Sequence, residues 1–202
     1  GNAIRRVLLS SLQGAAITSV KLKGVVHEFS TIPGVKEDLT DILLNLKSIA
    51  VKVHSTGLKK MYIKASGPGE IRAGNFETDS ETEIMNRDQL IMTLDTNADI
   101  EIEANIETGK GYVSAEVAED ENKIIGEIKL DAMFSPVVKA TYKIENSRVG
   151  QVTDYDKLIF EVETNGVISP DDAIALASRI IQDQLQPFIN FDEPEVQQDQ
   201  GT

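Results

Sequence analysis

Apolar residues recur at helical spacing in three stretches of the chain. Over residues 2–12, Ile4, Val7, Leu8 and Leu12 fall on one stripe, with Arg5, Arg6 and Leu9 off it. A helix this short is marginal alone and needs a packing partner. A second helix is predicted over 35–48: Pro33-Gly34 precedes it, Glu37 and Asp38 favour its first turn, and Leu39, Ile42, Leu43 and Leu46 form its stripe. The third, over 170–190, carries the clearest end signals. Ser169 is suited to cap it, Pro170 fits the first helical position, and Asp171 and Asp172 complement the helix dipole. Its stripe is Ala173, Ala177, Ile180, Ile181, Leu185 and Phe188, and Pro187 interrupts it near the end. The small residues in its first half invite a close neighbour.

Strand patterns fill the space between. Residues 99–106 alternate cleanly, with Ile100, Ile102, Ala104 and Ile106 on one face. Looser or shorter runs cover 17–22, 61–65, 124–130, 137–144 and 158–162, the last closed by Asn165-Gly166. Breakers cluster at 67–74 and 109–111, and 118–122 is a polar loop. Helices bracketing antiparallel strands predict an α+β fold. The tail, 192–202, with Gln197, Gln198 and Gln200, is expected to be disordered.

Composition narrows the setting. Cysteine is absent, so disulfides are excluded, which suits a reducing cytosol. No apolar run is long enough to span a bilayer. The opening GNAIRRVLLSSLQGAA mimics a signal peptide, but the spacing of Ile4, Leu8 and Leu12 favours an amphipathic helix. A soluble intracellular protein is expected. The net charge of −13 argues against DNA or an anionic membrane as the main direct partner. It is unevenly spread: residues 1–64 hold 10 Lys and Arg against 4 Asp and Glu, leaving 10 against 29 for residues 65–202. Such asymmetry can steer a basic protein onto the acidic part, although charge alone is better explained as a solvated surface.

Candidate chemistry is thin. His27-Glu28 starts like a zincin helix, but Thr31 stands where the second His is needed. His54 is isolated between Lys52 and Lys59. Gly109-Lys110-Gly111 lacks the Walker spacing and is read as a hairpin turn, and Gly67-Pro68-Gly69 as a turn. No serine elbow accompanies either His. Glu101, Glu103 and Glu107 line the solvated side of a half-buried strand.

Longer stretches say more. Residues 1–47, GNAIRRVLLSSLQGAAITSVKLKGVVHEFSTIPGVKEDLTDILLNLK, are similar throughout to the RNA polymerase α subunit family. So are GKGYVSAE (109–116) and SPVVKATYKIENSRVGQVTDYDKLIFEVETNG (135–166), and the helix from Ser169 to Phe188 falls where that family has its last dimerisation helix. Residues 66–105 match only loosely. The chain thus resembles the amino-terminal assembly domain of the bacterial-type DNA-directed RNA polymerase α subunit. That resemblance implies a discontinuous dimerisation domain, residues 1–13 and 136–191, with a small sheet, and an inserted, mostly antiparallel β-rich domain, residues 14–135. It implies a homodimer that docks the large subunits β and β′, with no catalytic residue or cofactor of its own, in a bacterial-type cytosol or nucleoid or an organelle of bacterial origin. Ile4, Leu8, Ala177, Ile181, Leu185 and Phe188 are expected at the dimer interface. Arg6 of the GNxxRR motif, Leu9, Asp41, Lys47, Leu130 and Lys157 resemble positions that dock the large subunits. The stripes agree independently: apolar faces on helices at opposite ends of the chain form a bundle core when duplicated by a two-fold axis. The family carries a strand-bearing segment before GNxxRR and a DNA-binding domain after a linker. Neither matches this chain, so an unpaired edge at 158–162 and no direct DNA contact are expected. The rival expectations are a free-standing acidic protein-binding adaptor of the same fold, and an enzyme whose cleft gathers convergent polar groups.

Overall fold

The computed structural model of the protein describes residues 1–25, 29–115, 126–150 and 152–189. In chain order, α1 (Asn2–Ser10) leads into β1 (Gln13–Leu22), then α2 (Leu39–Lys47), β2 (Val51–Val53), β3 (Lys59–Ser66) and β4 (Gly69–Arg72). Next come β5 (Thr82–Ile84), β6 (Leu90–Leu94), β7 (Asp99–Lys110), β8 (Tyr112–Val113), β9 (Glu127–Lys129) and β10 (Ala132–Met133). The long hairpin β11 (Val137–Val149) and β12 (Val152–Thr164) then leads to α3 (Pro170–Leu185). Mixed helices and antiparallel strands make this an α+β fold.

The largest sheet has the order β3-β7-β1-β9, all antiparallel. β7 is its centre, and the predicted face is the buried one: Ile100, Ile102, Ala104 and Ile106 all lie in the core. The same core holds Ile42, Leu43 and Leu46 of α2, together with Met61 of β3 and Ile91 and Met92 of β6. A second core is separate. It joins Leu8 and Leu12 to Val137 and Ala140 of β11 and to Ala173 and Ala177 of α3. Phe134, with Ala16 and Ala132, forms a small cluster of its own. Gly14 is required there, because a Cβ would stand 1.8 Å from the Phe134 carbonyl oxygen.

The helix ends differ from the sequence expectation for local reasons. α2 begins at Leu39 rather than 35, because Val35 bridges Leu94, Lys36 N–H donates to the Thr93 carbonyl, and Asp38 is extended. α3 stops at Leu185, and Gln186–Phe188 tighten into a 3₁₀ turn where Pro187 has no N–H to continue the helix. Ser169 caps α3 as expected: its Oγ accepts from Asp172 N–H at 3.2 Å and donates to the Asp172 carboxylate at 2.8 Å. α1 ends at Ser10, although Leu12 is still buried. Gly111, at φ +66°, kinks β7 into β8, so residues 109–111 are not the hairpin turn expected. The 118–122 loop, the first residues of the 124–130 run and the 192–202 tail lie outside the described residues, as do His27 and Glu28.

Candidate protein-docking interface

α1 and α3 press together through small residues. Ala173 and Ala177 present no side chain beyond Cβ, which lets Leu8 settle between α3 and β11. Leu8 and Ala177, both expected at the dimer interface, are 0% exposed within this one chain. They lock the two helices and offer a second copy no surface. Ile4 and Ile181 are half-buried. The end of α3 is bare: Leu185 is 53% exposed and Phe188 81%, with exposed Ile189 beside them. An apolar cluster of this kind at a helix end is unusual on a surface facing only water.

The two arginines of α1 go opposite ways. Arg5 Nε donates to the Ala140 carbonyl at 3.0 Å, tying the helix to β11. Arg6 is exposed, and among the described residues its guanidinium has no partner. Leu9, expected to share the Arg6 face, instead packs partly against the α1–α3 core. On α2, Asp41 and Lys47 are both exposed, with exposed Leu44 between them at three-residue steps. Leu130 is buried in the main core, so its side chain has little surface to dock with. Lys157 is exposed on β12, opposite Glu145. The exposed candidates, Arg6, Asp41, Lys47 and Lys157, therefore fall on α1, α2 and the β11–β12 hairpin. Among the described residues, β12 pairs with β11 alone.

A family model described as the RNA polymerase Rpb3/RpoA insert domain matches residues 20–135. The chain belongs to that family. It carries an RNA polymerase α-type amino-terminal domain and is a transcription-related subunit type. The matched span contains β3, β7 and β9 of the main sheet, the last residues of β1, all of α2, and the Asp41, Lys47 and Leu130 positions.

Among the described residues, no group of three or more His, Cys, Asp or Glu is arranged to hold a metal ion. No described helix is long and apolar enough to cross a membrane. A cleft of about 470 Å³ opens between β2 and the turn before α3, lined by Val51, Lys52, His54, Pro136, Val167 and Ile168. His54 Nε2 is 3.9 Å from the Glu83 carboxylate and exposed.

One residue escaped the sequence reading. Asp131 Oδ2 accepts from Lys47 Nζ at 3.1 Å and Oδ1 accepts from Ala115 N–H at 2.9 Å. Those two contacts, the Ala115 N–H first and the Lys47 ammonium second, hold its carboxyl below the usual aspartate range. Lys47 and Asp131 are 84 positions apart, so no spacing in the sequence announces the pair.

Proposed function

We propose that this chain is the homodimeric, non-catalytic assembly subunit of a DNA-directed RNA polymerase, docking the large subunits β and β′ in the cytosol or nucleoid. The observation that carries the dimer is the bare apolar end of α3, Leu185, Phe188 and Ile189, continuous along the helix with half-buried Ile181. Water around such side chains is unfavourable, and a two-fold copy of the same surface removes it in a self-complementary way. Half-buried Ile4 of α1 is assigned to the same surface, while buried Leu8 and Ala177 hold α1 against α3 within the protomer. In this reading residues 1–13 and 136–191 make the dimer, and residues 14–135 form the insert that shares in docking.

Arg6 supports the docking half of the proposal. It sits off the apolar stripe, exposed and without a described partner, on a helix whose other arginine is already used. Arg6→Ala should leave folding within about 0.5 kcal/mol, as for other surface changes. At the centre of a docking surface the same truncation costs about 2 kcal/mol, roughly a thirtyfold loss of affinity. The test is capture of β and β′ by wild-type and Arg6→Ala chains, with melts of both. Equal capture removes Arg6 from the interface. A normal dimer that captures neither large subunit points to an adaptor with other partners.

A further inference from the structure

The cleft between β2 and the turn before α3 has no part in assembly as argued above. Its volume of about 470 Å³ lies in the range of small-molecule sites. Asp and Glu supply 33 of the 202 residues, yet among the described residues none of them lines this cleft. Its charged chemistry is cationic instead. Lys52 is half-buried, and among the described residues its ammonium has no hydrogen-bond or ion-pair partner. Glu83, opposite Lys52 in the β2–β5 register, lies 3.9 Å from His54 rather than against the lysine. A partly covered ammonium without a counter-charge attracts an incoming anion more strongly than one in bulk water, because less solvent screens it. The side chains of Gln13 and half-buried Thr108 also line the cleft without a partner among the described residues. Opposite these polar groups the lining is apolar: buried Pro136 and half-buried Val167 and Ile168.

We propose that this cleft is a binding site for a small organic anion, a monocarboxylate with an apolar body of about ten carbon atoms. The carboxylate meets the Lys52 ammonium, with the Gln13 amide and the Thr108 hydroxyl as further donors. The body lies against Pro136, Val167 and Ile168, which gives the site a reason to prefer it over a bare inorganic anion. Such a ligand also touches both halves of the chain. Val51 of β2 belongs to the main core, whereas Ile168 packs against the separate core of α1, β11 and α3. An occupant held between them ties the two cores together and stabilises the folded chain by mass action. This site is independent of the assembly role, and a chain that failed to dimerise would still carry it.

The experiment titrates 4-phenylbutyrate into the full chain and follows backbone amide shifts by NMR, with 4-phenylbutyramide and inorganic phosphate as controls. The carboxylate should bind with a dissociation constant of about a millimolar, ordinary for a ligand of about a dozen non-hydrogen atoms. Shifts should concentrate at residues 13–15, 51–56 and 167–168, which line the cleft. The amide, equal in shape but uncharged, should bind about tenfold more weakly, and phosphate, which leaves the apolar side bare, should also bind more weakly. Lys52→Ala should lose about tenfold in affinity while its melt without ligand stays near wild type, since the ammonium supports nothing within the chain. Lys52→Gln, which keeps the stem, gives the same comparison if the alanine variant melts low. Glu83→Gln should bind about two- to threefold more tightly, because it removes the nearest negative charge. Four results would each overturn the proposal: no shifts at about 20 mM carboxylate, shifts lying outside the cleft, equal binding of the amide or of phosphate, or wild-type affinity in both Lys52 variants.

Discussion

Phe188→Ala tests the dimer surface with little risk to the fold. Phe188 follows α3 in a 3₁₀ turn and is 81% exposed in the single chain. An aromatic side chain carries roughly 200 Å² of surface, so about 160 Å² remains for a partner to cover. At about 25 cal/mol per Å², full burial is worth about 4 kcal/mol, of which alanine keeps roughly a quarter. A two-fold interface uses the residue twice, giving an upper limit of about 6 kcal/mol per dimer. Burial of half that area leaves about 3 kcal/mol, or a hundredfold or so in the dimer dissociation constant. Sedimentation equilibrium of wild type and variant reads the constant directly. The melt of the dissociated chain should move little, since an exposed side chain supports nothing within the protomer. Equal dissociation constants would place the two-fold seam elsewhere. A collapsed monomer melt would show that Phe188 serves the fold.

Three further outcomes follow from the same contacts. Leu8→Ala removes a fully buried side chain from a small core of Leu12, Val137, Ala140, Ala173 and Ala177, and should cost about 3 kcal/mol in chemical denaturation; a loss under about 1 kcal/mol would mean that α1 is not held by this core. Ser169→Ala should cost about 1 kcal/mol and speed amide exchange in the first turn of α3, and unchanged exchange at Asp172 would contradict the cap. Glu37 is partly buried, which pulls its pKa up, but Thr93 N–H and hydroxyl donate to the carboxylate and the net effect is downward. A depressed pKa gives stability that is present above the unfolded value near 4 and lost as pH falls through the folded one. Melts between pH 6 and pH 3 should therefore fall less steeply in Glu37→Gln than in wild type, and parallel curves would refute the linkage.

Much of the fold is legible in the sequence because local and global demands agree there. The alternation of Ile100, Ile102, Ala104 and Ile106 needs only one buried sheet face to be satisfied, and Ser169-Pro170 writes the start of α3 in chemistry confined to one turn. Errors gather where tertiary contacts override the pattern. Glu37 and Asp38 read as a helical first turn, yet Glu37 is spent on Thr93, 56 residues away. Leu8 and Ala177 carry the same stripe signal as Leu185, but helical periodicity cannot tell a face buried within one chain from one left for a second copy. The Tyr112–Met133 neighbours are equally hidden in the sequence, since the two meet only through the pairing of β8 with β10.

The central claim is a two-fold assembly subunit, and its most direct test is the mass of the chain in solution, alone and with β and β′, by light scattering after size exclusion at micromolar concentration. The account predicts a species of about 44 kDa, twice the 22.1 kDa chain, which moves intact into a complex with the large subunits. A species that stays near 22.1 kDa at tens of micromolar, or a dimer that elutes apart from both large subunits, would contradict it.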